Sequence, residues 1–260
     1  MIQSNKLISL LVSFQCITSA AAQLYNSKLP IVVVTTEDEI PDEPKIEGSI
    51  GIIYDTTGGM NFISESFNYH SSNLAIETRG NSTQGFDKKT YSLELRNSSD
   101  EDTSVNLFGM GGEEDWILHA MVIDKSQVRI PMSFHLAQRM GQYASQFKYV
   151  ELVLNGDYRG TYILVEKIKR DDDRVDIAKL DEDDLAGDSL TGGYILRMDW
   201  LDDPQGFESN YNSQGGNPMF YQWYYPKAEK IKPQQALYIQ DWMANFEDAL
   251  FADDYTNDEG

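Results

Sequence analysis

The first half of the chain carries short runs of apolar residues that are β-branched or that alternate with polar residues. Four such runs lie at residues 28–35, 50–54, 73–79 and 90–96, and turn-forming Gly, Asn, Ser, Asp or Pro residues separate them. Alternation with a period of two residues is typical of half-buried β-strands. The pattern therefore predicts a sheet of short strands, which we expect to be antiparallel.

Two later runs, at 149–154 and 161–166, flank the dipeptide Asn155-Gly156. Asn-Gly between alternating runs favours a tight β-hairpin, because both residues tolerate the positive φ angles of its turn. Residues 192–199 and 220–225 have the same strand-like character. The middle and later parts of the chain are therefore expected to contain further strands.

Two segments have helical periodicity. In residues 124–140 one face is apolar, and its members are Ile130, Phe134, Ala137 and Met140. Pro131 is tolerated only in a first helical turn, so the main helix is expected to begin near it, and Gly141 suits the C-terminal cap. A second helix is expected to begin at Pro233 and to run to about residue 251. Together these elements predict an α+β fold with helices packed on an antiparallel sheet.

The N-terminal residues 1–22 are typical of a secretory signal peptide. A single Lys6 precedes the apolar run 7–14, and Ala20-Ala21-Ala22 offers a cleavage site. An uncleaved anchor or a disordered start is the alternative, although no later stretch reaches the roughly 18 apolar residues of a spanning helix. The only cysteine, Cys16, lies in this segment, so the mature chain would form no disulfide. We expect a protein that is secreted, extracellular or at the cell surface, without a membrane span after signal cleavage.

The chain is strongly acidic, with 42 acidic and 21 basic residues and a net charge of −21. Such a charge repels phosphate backbones, which excludes nucleic acid as an expected partner. It suits a solvated extracellular surface or a basic protein substrate. The acidic runs 171–173 and 181–184 could bind Ca²⁺, but they lack the twelve-residue loop pattern, and a solvated charged loop is the alternative.

Common catalytic motifs are absent from the sequence. The chain has no G-x-S-x-G, H-E-x-x-H, P-loop or G-x-G-x-x-G motif, and its three histidines, His70, His119 and His135, are not at metal-ligand spacing. A hydrolase triad or a zinc site therefore gains no support.

One turn lies in a more specific pattern. A predicted strand leads into a turn of Gly, Ser and Thr residues, and two lysines stand at the start of the next predicted strand. Its residues are Arg79, Gly80, Asn81, Ser82 and Thr83, followed by Lys88 and Lys89. This order is typical of the nucleotide lobe of protein kinases, where turn amides cover the phosphates and a lysine neutralises them. A plain hairpin turn with surface lysines is the alternative.

Several blocks in fixed order resemble the spore coat protein H (CotH) kinase family. They are the turn with Lys88-Lys89-Thr90-Tyr91-Ser92-Leu93; Asp115-Trp116-Ile117-Leu118; Asp124-Lys125 with Arg129; residues 150–170; and Gly192-Gly193-Tyr194-Ile195-Leu196. The blocks cover about residues 73–200. The resemblance implies an atypical, protein-kinase-like domain that transfers the γ-phosphate of ATP to Ser or Thr of a protein substrate, with Mg²⁺ or Mn²⁺.

The same resemblance implies roles for individual residues. The turn from Arg79 to Thr83 would cover the phosphates, and Lys89, or else Lys88, would bind them. Asp124 or a residue of the following helix would hold that lysine, and Arg129 would stabilise phosphate or pair with a carboxylate. Glu166 lies where a kinase hinge would meet adenine, and a strand-end carboxylate paired with Lys167 or Lys169 is the alternative.

The chain departs from the family pattern in its later part. Family members resemble kinases in having an N-x-D segment for the catalytic aspartate and a W-D-x-D segment for the metal-binding one, and neither occurs after Asp199. Asn155-Gly156-Asp157 matches N-x-D, but it lies upstream of this part of the chain and is explained by a hairpin turn. We therefore expect a spacer with the first strand at 23–45 and a kinase-like domain at 46–260 that lacks its C-terminal part. This chain would then be an inactive fragment, and a natural pseudokinase is the alternative.

Two other functions remain open at the level of sequence. A non-catalytic surface or coat protein would bind a partner through exposed aromatic residues, with Tyr221, Trp223, Tyr224 and Tyr225 as candidates, although alternating aromatic residues also suit a sheet core. A polysaccharide-associated module would bind carbohydrate, and the sequence shows no specific sign of that activity.

Overall fold

The computed structural model describes residues 23–199 and 205–252. The predicted signal peptide at 1–22, with Cys16, lies outside these residues, and so do residues 200–204. The strands are β1 Asn26–Ser27, β2 Ile31–Thr36, β3 Ile46–Ile53, β4 Asn61–Phe62, β5 His70–Arg79, β6 Thr90–Arg96, β7 Val105–Asn106, β8 Gly112–Glu113, β9 Asp115–His119, β10 Phe147–Leu154, β11 Asp157–Glu166, β12 Ile195–Arg197, β13 Gly206–Asn212 and β14 Pro218–Tyr225. The helices are α1 Arg129–Arg139 and α2 Pro233–Phe251, and short 3-10 helices lie at Ser82–Gly85 and Gly187–Thr191.

The described residues divide into two compact units. The first takes in 23–102, Leu118–Lys125 and Lys148–Leu164, and the second takes in Thr103–Ile117, Ser126–Phe147 and the described part of 165–252. The division runs through β9, β10 and β11, so the two ends of each of these strands belong to different units.

Seven strands close into a barrel in the order β10-β11-β9-β6-β5-β3-β2. The pairs β2–β3, β3–β5 and β5–β6 are antiparallel, as the sequence predicts. The pair β10–β2 is parallel, with Glu151 opposite Ile31 and Leu154 opposite Val34. The expectation of a purely antiparallel sheet is therefore wrong, and the fold is a mixed, closed barrel within a broadly α+β protein. Residue alternation is the same in both kinds of pairing, so it does not reveal this parallel closure.

The apolar positions of the alternating runs fill the barrel core. The fully buried members of this inward face include Val32, Val34, Ile52, Leu74, Ile76, Leu93, Leu95, Leu152 and Ile163, whereas Ile31 packs with Ile53 and Val153 on the opposite face of the strands. Burying one such side chain contributes about 1.5–3 kcal/mol, so the barrel strands supply most of the apolar burial of the first unit.

The hairpin between β10 and β11 turns at Asn155-Gly156, as predicted. Both residues have positive φ angles, 51° and 83°. Asn155 also ties the turn to β2, because its Oδ1 accepts a hydrogen bond from the Thr36 amide (2.8 Å) and its Nδ2 donates to Thr36 Oγ1 (3.1 Å). The hairpin is thus fixed by backbone geometry and by side-chain bonds.

The second unit contains both helices and the three-stranded sheet β12-β14-β13. Helix α1 begins at Arg129 with Pro131 in its first turn, and α2 begins with Pro233, as the sequence predicts. At the start of α2 the Lys232 amide donates to Gln235 Oε1, and Gln235 Nε2 donates to the Asp181 carbonyl (2.7 Å). Strand β13 was not predicted, because its polar sequence does not alternate with apolar residues. Neither helix of the described residues is long and apolar enough to cross a membrane.

Candidate functional site

The turn after β5 is compact and closed by its own hydrogen bonds. The Gln84 amide donates to the Asn81 carbonyl (3.1 Å), and Gln84 Nε2 donates to the Gly80 carbonyl (2.6 Å). Gly80 has a φ of +110°, a backbone conformation that residues with a side chain rarely adopt, and Thr83 Oγ1 lies against its Cα. The backbone angle therefore favours glycine at this position.

The two lysines after this turn have different surroundings. Lys89 Nζ donates to the Gln84 carbonyl, which ties its ammonium to the turn. Lys88 Nζ instead donates to the Thr161 carbonyl (2.6 Å) and lies 4.5 Å from the ring centroid of Tyr162. Burial lowers the pKa of Lys88, and the charge of Glu151 opposes that shift. Lys89 therefore belongs to the turn, whereas Lys88 packs on β11.

Two cations at this turn lack an acidic partner. Among the residues that the structure describes, neither Arg79 nor Lys89 forms an ion pair, and the side chain of Arg79 is exposed. His119 lies close enough to Arg79 for the positive charge to reinforce the effect of burial, and both lower the pKa of the histidine. Uncompensated positive charge at a Gly/Ser/Thr turn suits a phosphate group.

Sequence reasoning missed Glu151 as the acidic group close to the lysines. This carboxylate is buried in β10 and accepts hydrogen bonds from Tyr158 OH (2.8 Å) and Thr161 Oγ1 (3.2 Å). A single charged residue within the apolar run of β10 was the available signal, since a charge is rarely buried without a partner. The predicted partner, Asp124, has interactions of its own, as has Arg129.

Glu166, the predicted hinge residue, lies in the second unit at the end of β11. It is buried, and its carboxylate accepts hydrogen bonds from the Gln146 amide (2.7 Å) and from Gln146 Nε2 (3.4 Å). Burial raises the pKa of Glu166, and the bonds from Gln146 and the charge of Arg174 counteract part of that shift. Lys167 and Lys169 pair with other carboxylates, so the alternative strand-end ion pair is not what the structure shows.

Glu166 also lines a cavity of about 390 Å³ within the second unit. The polar side chains of its wall include Gln138, Gln142, Tyr143, Gln146 and Arg174. Arg174 has a side-chain exposure of 1%. Its Nη1 donates to the carbonyls of Lys167 (2.7 Å) and Asp115 (3.2 Å), whereas its Nη2 is buried without a hydrogen-bond partner in the described part of the chain.

Three adjacent carboxylates, between the end of β8 and the start of β9, approach the geometry of a metal site. One oxygen from each of Glu113, Glu114 and Asp115 lies within 4.8 Å of the others. Lys169 Nζ already contacts all three, at 2.9, 2.7 and 3.5 Å. A hydrogen bond from Glu113 and the ammonium of Lys169 lower the pKa of Glu114 to about 2, against the effect of burial. Lys167 beside Asp115 (3.1 Å) and Arg174 beside Glu113 (3.8 Å) add two further cations, so the three carboxylates are balanced by basic side chains, which disfavours a resident divalent cation.

The aromatic residues of β14 belong to the structure of the second unit rather than to an open surface. They are half-buried, and Trp223 lies 5.0 Å from Phe207 between ring centroids. Tyr224 OH donates to the Ile168 carbonyl (2.5 Å), and Tyr225 OH accepts from the Leu180 amide (3.0 Å). The sheet-core interpretation of these residues agrees with the structure better than an exposed binding face does.

The described residues define a mostly β protein whose barrel carries a glycine-dependent turn with unpaired basic side chains. A family model described as CotH kinase protein matches residues 76–259, which is more than half of the chain. The chain belongs to the CotH kinase family. A search of curated proteins gives no match.

Proposed function

We propose that this chain binds ATP as part of a CotH-family protein kinase, which phosphorylates Ser or Thr of a protein substrate with Mg²⁺ or Mn²⁺. Family membership supports the reaction class. The observation that carries the assignment of the site is a pair of cations, Arg79 and Lys89, at one turn of a chain whose net charge is −21, and neither cation has an acidic partner among the described residues.

The turn would hold the phosphates in the following way. Lys89 donates to a neutral carbonyl, that of Gln84, and would exchange it for a phosphate oxygen, because charge-assisted hydrogen bonds to an anion are about twice as strong as neutral ones. Arg79 would add a second positive charge from the end of β5. Gly80 leaves the backbone open to close approach. The bound nucleotide supplies the transferred phosphoryl group, and the divalent ion would neutralise the charge that develops on it.

We further propose that this chain binds ATP without transferring phosphate by itself. Phosphoryl transfer depends on carboxylates that orient the nucleophile and hold the metal. Residues 199–260 contain neither N-x-D nor W-D-x-D, and the cluster Glu113–Asp115 is occupied by Lys169. No catalytic or metal-binding role is therefore assigned to a residue of this chain.

The charge of the chain favours a basic protein substrate that contains Ser or Thr. A net charge of −21 attracts a basic partner and repels an acidic one over a distance of about a Debye length. Together with the N-terminal pattern at 1–22, this leads us to propose a secreted kinase that acts outside the cell or at its surface.

The test is calorimetric titration of the chain with ATP, with Mg²⁺, with Mn²⁺ and with EDTA. Lys89→Met and Arg79→Met are each expected to weaken ATP binding about tenfold, as the loss of one charge-assisted contact predicts. Lys28→Met is the matched control, because Lys28 is an exposed lysine of the same unit. Absence of ATP binding, or equal affinity in all variants, would contradict the proposed site. Transfer of ³²P from labelled ATP to the chain itself would contradict only the proposed lack of catalysis.

A further inference from the structure

A smaller cavity of about 180 Å³ lies between β13 and α2 of the second unit, and we call it the α2 cavity. Its wall carries three acidic side chains, Glu208 of β13 and Asp241 and Glu247 of α2, and none of the described residues that line it is basic. Residues 200–204 and 253–260, which lie outside the described part, contain no basic residue either. The α2 cavity therefore has a negatively charged wall.

Glu247 is the residue that points to a ligand. It is only 3% exposed, yet its carboxylate forms no ion pair with a residue that the structure describes. Its Oε1 accepts hydrogen bonds from Ser209 Oγ (2.7 Å) and Tyr221 OH (2.8 Å), and both of these donors are neutral. Because a carboxylate is rarely buried to this extent without a cation beside it, Glu247 lacks a counter-ion that a ligand could supply.

The second oxygen of this carboxylate is accessible from the α2 cavity. Glu247 Oε2 accepts no hydrogen bond from a described residue. In the part of the chain that the structure describes, the enclosed side-chain atom without a partner is Arg174 Nη2, so Oε2 is not enclosed. Glu247 lines the α2 cavity, and the two bonds to Oε1 hold its carboxylate in place. Oε2 is therefore positioned to accept from a donor in that cavity.

The size of the α2 cavity and the spacing of its carboxylates disfavour a metal ion and a free small molecule. Among the described residues, Glu113, Glu114 and Asp115 bring three ligand oxygens within 4.8 Å of one another, but the carboxylates of the α2 cavity do not. Separated carboxylates suit an organic cation with several donors. The volume lies below the roughly 300–1,000 Å³ of small-molecule sites, which favours a single side chain.

We propose that the α2 cavity binds an arginine side chain of a partner protein. A guanidinium has five N–H donors in one plane, so it can donate to Glu247 Oε2 and to a second carboxylate of the wall at the same time. A lysine ammonium is a compact point charge that matches this arrangement less well. Phe207 adds an aromatic ring to the same wall, and a guanidinium stacks favourably on such rings.

The charge of the chain favours an arginine within a basic segment of protein. The net charge is −21, and Glu208 and Asp241 are exposed and unpaired among the described residues, so they attract a basic segment before its arginine enters. Free arginine would bring its own carboxylate to an acidic wall, whereas an arginine within a peptide carries none. This site does not rest on the proposed nucleotide site.

The test is an NMR titration of the whole ¹⁵N-labelled chain in about 0.15 M NaCl, which screens general attraction between exposed charges. The probes are acetyl-Ala-Arg-Ala-amide, its lysine and glutamine analogues, and free L-arginine. The arginine peptide is expected to give saturable shifts at the amides of β13, and each of the other probes is expected to bind more weakly.

Glu247→Gln is expected to weaken binding of the arginine peptide about tenfold, the effect of losing one charge-assisted contact. Its amide oxygen can still accept from Ser209 and Tyr221, so the fold should be kept. Asp241→Asn, at the exposed rim, is expected to weaken binding about threefold. Glu229→Gln is the matched control, because Glu229 is an exposed glutamate of the same unit and the change removes the same charge.

The proposal is supported if Glu247→Gln and Asp241→Asn weaken binding of the arginine peptide while Glu229→Gln and Lys89→Met leave it unchanged. Circular dichroism shows whether each variant folds, and if Glu247→Gln does not fold, Asp241→Asn decides alone. Three results would overturn the proposal: no saturable shifts with the arginine peptide, wild-type affinity in the folded cavity variants, or an equal loss in Glu229→Gln, which would indicate general attraction to an acidic chain. Equal binding of the lysine peptide or of free L-arginine would also overturn it, because the cavity would then not select an arginine side chain of a protein.

Discussion

The guanidinium carbon of Arg174 lies 4.9 Å from the ring centroid of Trp116. Trp116 is fully buried, and its Nε1 donates to the Glu113 carbonyl (2.9 Å). Arg174 therefore joins the start of β9 to the segment after β11 by a cation–π contact, two carbonyl bonds and an ion pair with Glu113. A buried cation held by several partners of this kind is expected to matter for stability.

Replacing Arg174 by methionine is expected to destabilise the protein by about 3 kcal/mol. The change removes the cation from a buried pair and leaves two carbonyls without a donor, which is more costly than the loss of a surface charge. Urea unfolding followed by circular dichroism measures the effect. Arg159→Met is the control, since Arg159 pairs with Asp157 at the exposed surface (3.4 Å) and should change stability by less than about 0.5 kcal/mol. Equal losses in the free energy of unfolding for the two variants would show that the contacts of Arg174 stabilise the protein no more than a surface ion pair does.

Lys88→Met is expected to lower stability, whereas Lys89→Met is not. Lys88 donates to the Thr161 carbonyl and packs over Tyr162, so its loss should cost about 1 kcal/mol. In the described part of the chain, the Lys89 ammonium bonds to a carbonyl of the turn beside it, that of Gln84. Thermal unfolding of both variants, with Lys28→Met as the control, measures the difference. A larger loss of stability in Lys89→Met than in Lys88→Met would reverse the assignment of the two lysines.

Local sequence signals predicted the elements that depend on local geometry. The prediction of a hairpin at Asn155-Gly156 was correct because its turn requires positive φ angles at both residues. The predicted start of α2 was correct because proline is tolerated in a first helical turn. The strand at 90–96 was predicted with its observed bounds, since its alternation is unbroken. These features need no knowledge of distant contacts.

Features that depend on tertiary contact were not predictable in this way. The parallel pairing of β10 with β2 joins residues more than a hundred positions apart, and alternation does not distinguish it from antiparallel pairing. Arg174 lies in a stretch, 167–184, whose charge indicates a solvated loop, yet contact with Trp116 buries it. The polar cavity at Glu166 combines residues before β10 with residues at and after the end of β11, so no single sequence motif indicates it. The assignment of Arg79, Lys89 and Glu166 to nucleotide binding stays a prediction.

Asn155→Ala is expected to destabilise the first unit by about 2 kcal/mol. The change removes two hydrogen bonds to Thr36 and places alanine at a φ of 51°, which asparagine tolerates better. Urea unfolding measures the loss. Asn217→Ala is the control, because Asn217 is an exposed asparagine directly after the turn at 214–216, and its side chain forms no hydrogen bond among the described residues. A change of less than about 0.5 kcal/mol in Asn155→Ala would mean that the turn does not depend on this side chain.

Acid should weaken the network around Glu94 on β6. Burial by itself raises the pKa of this carboxyl, but hydrogen bonds from Lys45 (2.6 Å) and Arg96 (2.8 Å) outweigh it and lower the pKa to about 2. Because the folded-state pKa lies below the unfolded value of 4.5, the carboxylate stabilises the fold above pH 4.5. That contribution is lost as the pH falls from 4.5 towards 2.

Glu94→Gln tests this dependence. It is expected to be less stable than the wild type by roughly 2 kcal/mol at neutral pH, after allowance for solvent screening, and the difference should disappear towards pH 2. Urea midpoints measured at intervals from pH 7 to about pH 2 follow the change, as far as the protein stays folded. Glu47→Gln, at an exposed position of β3, should give a nearly constant small difference across the same range. If the stability difference for Glu94→Gln stays constant as the pH falls, the charge of Glu94 does not stabilise the barrel, and packing of its side chain explains the loss.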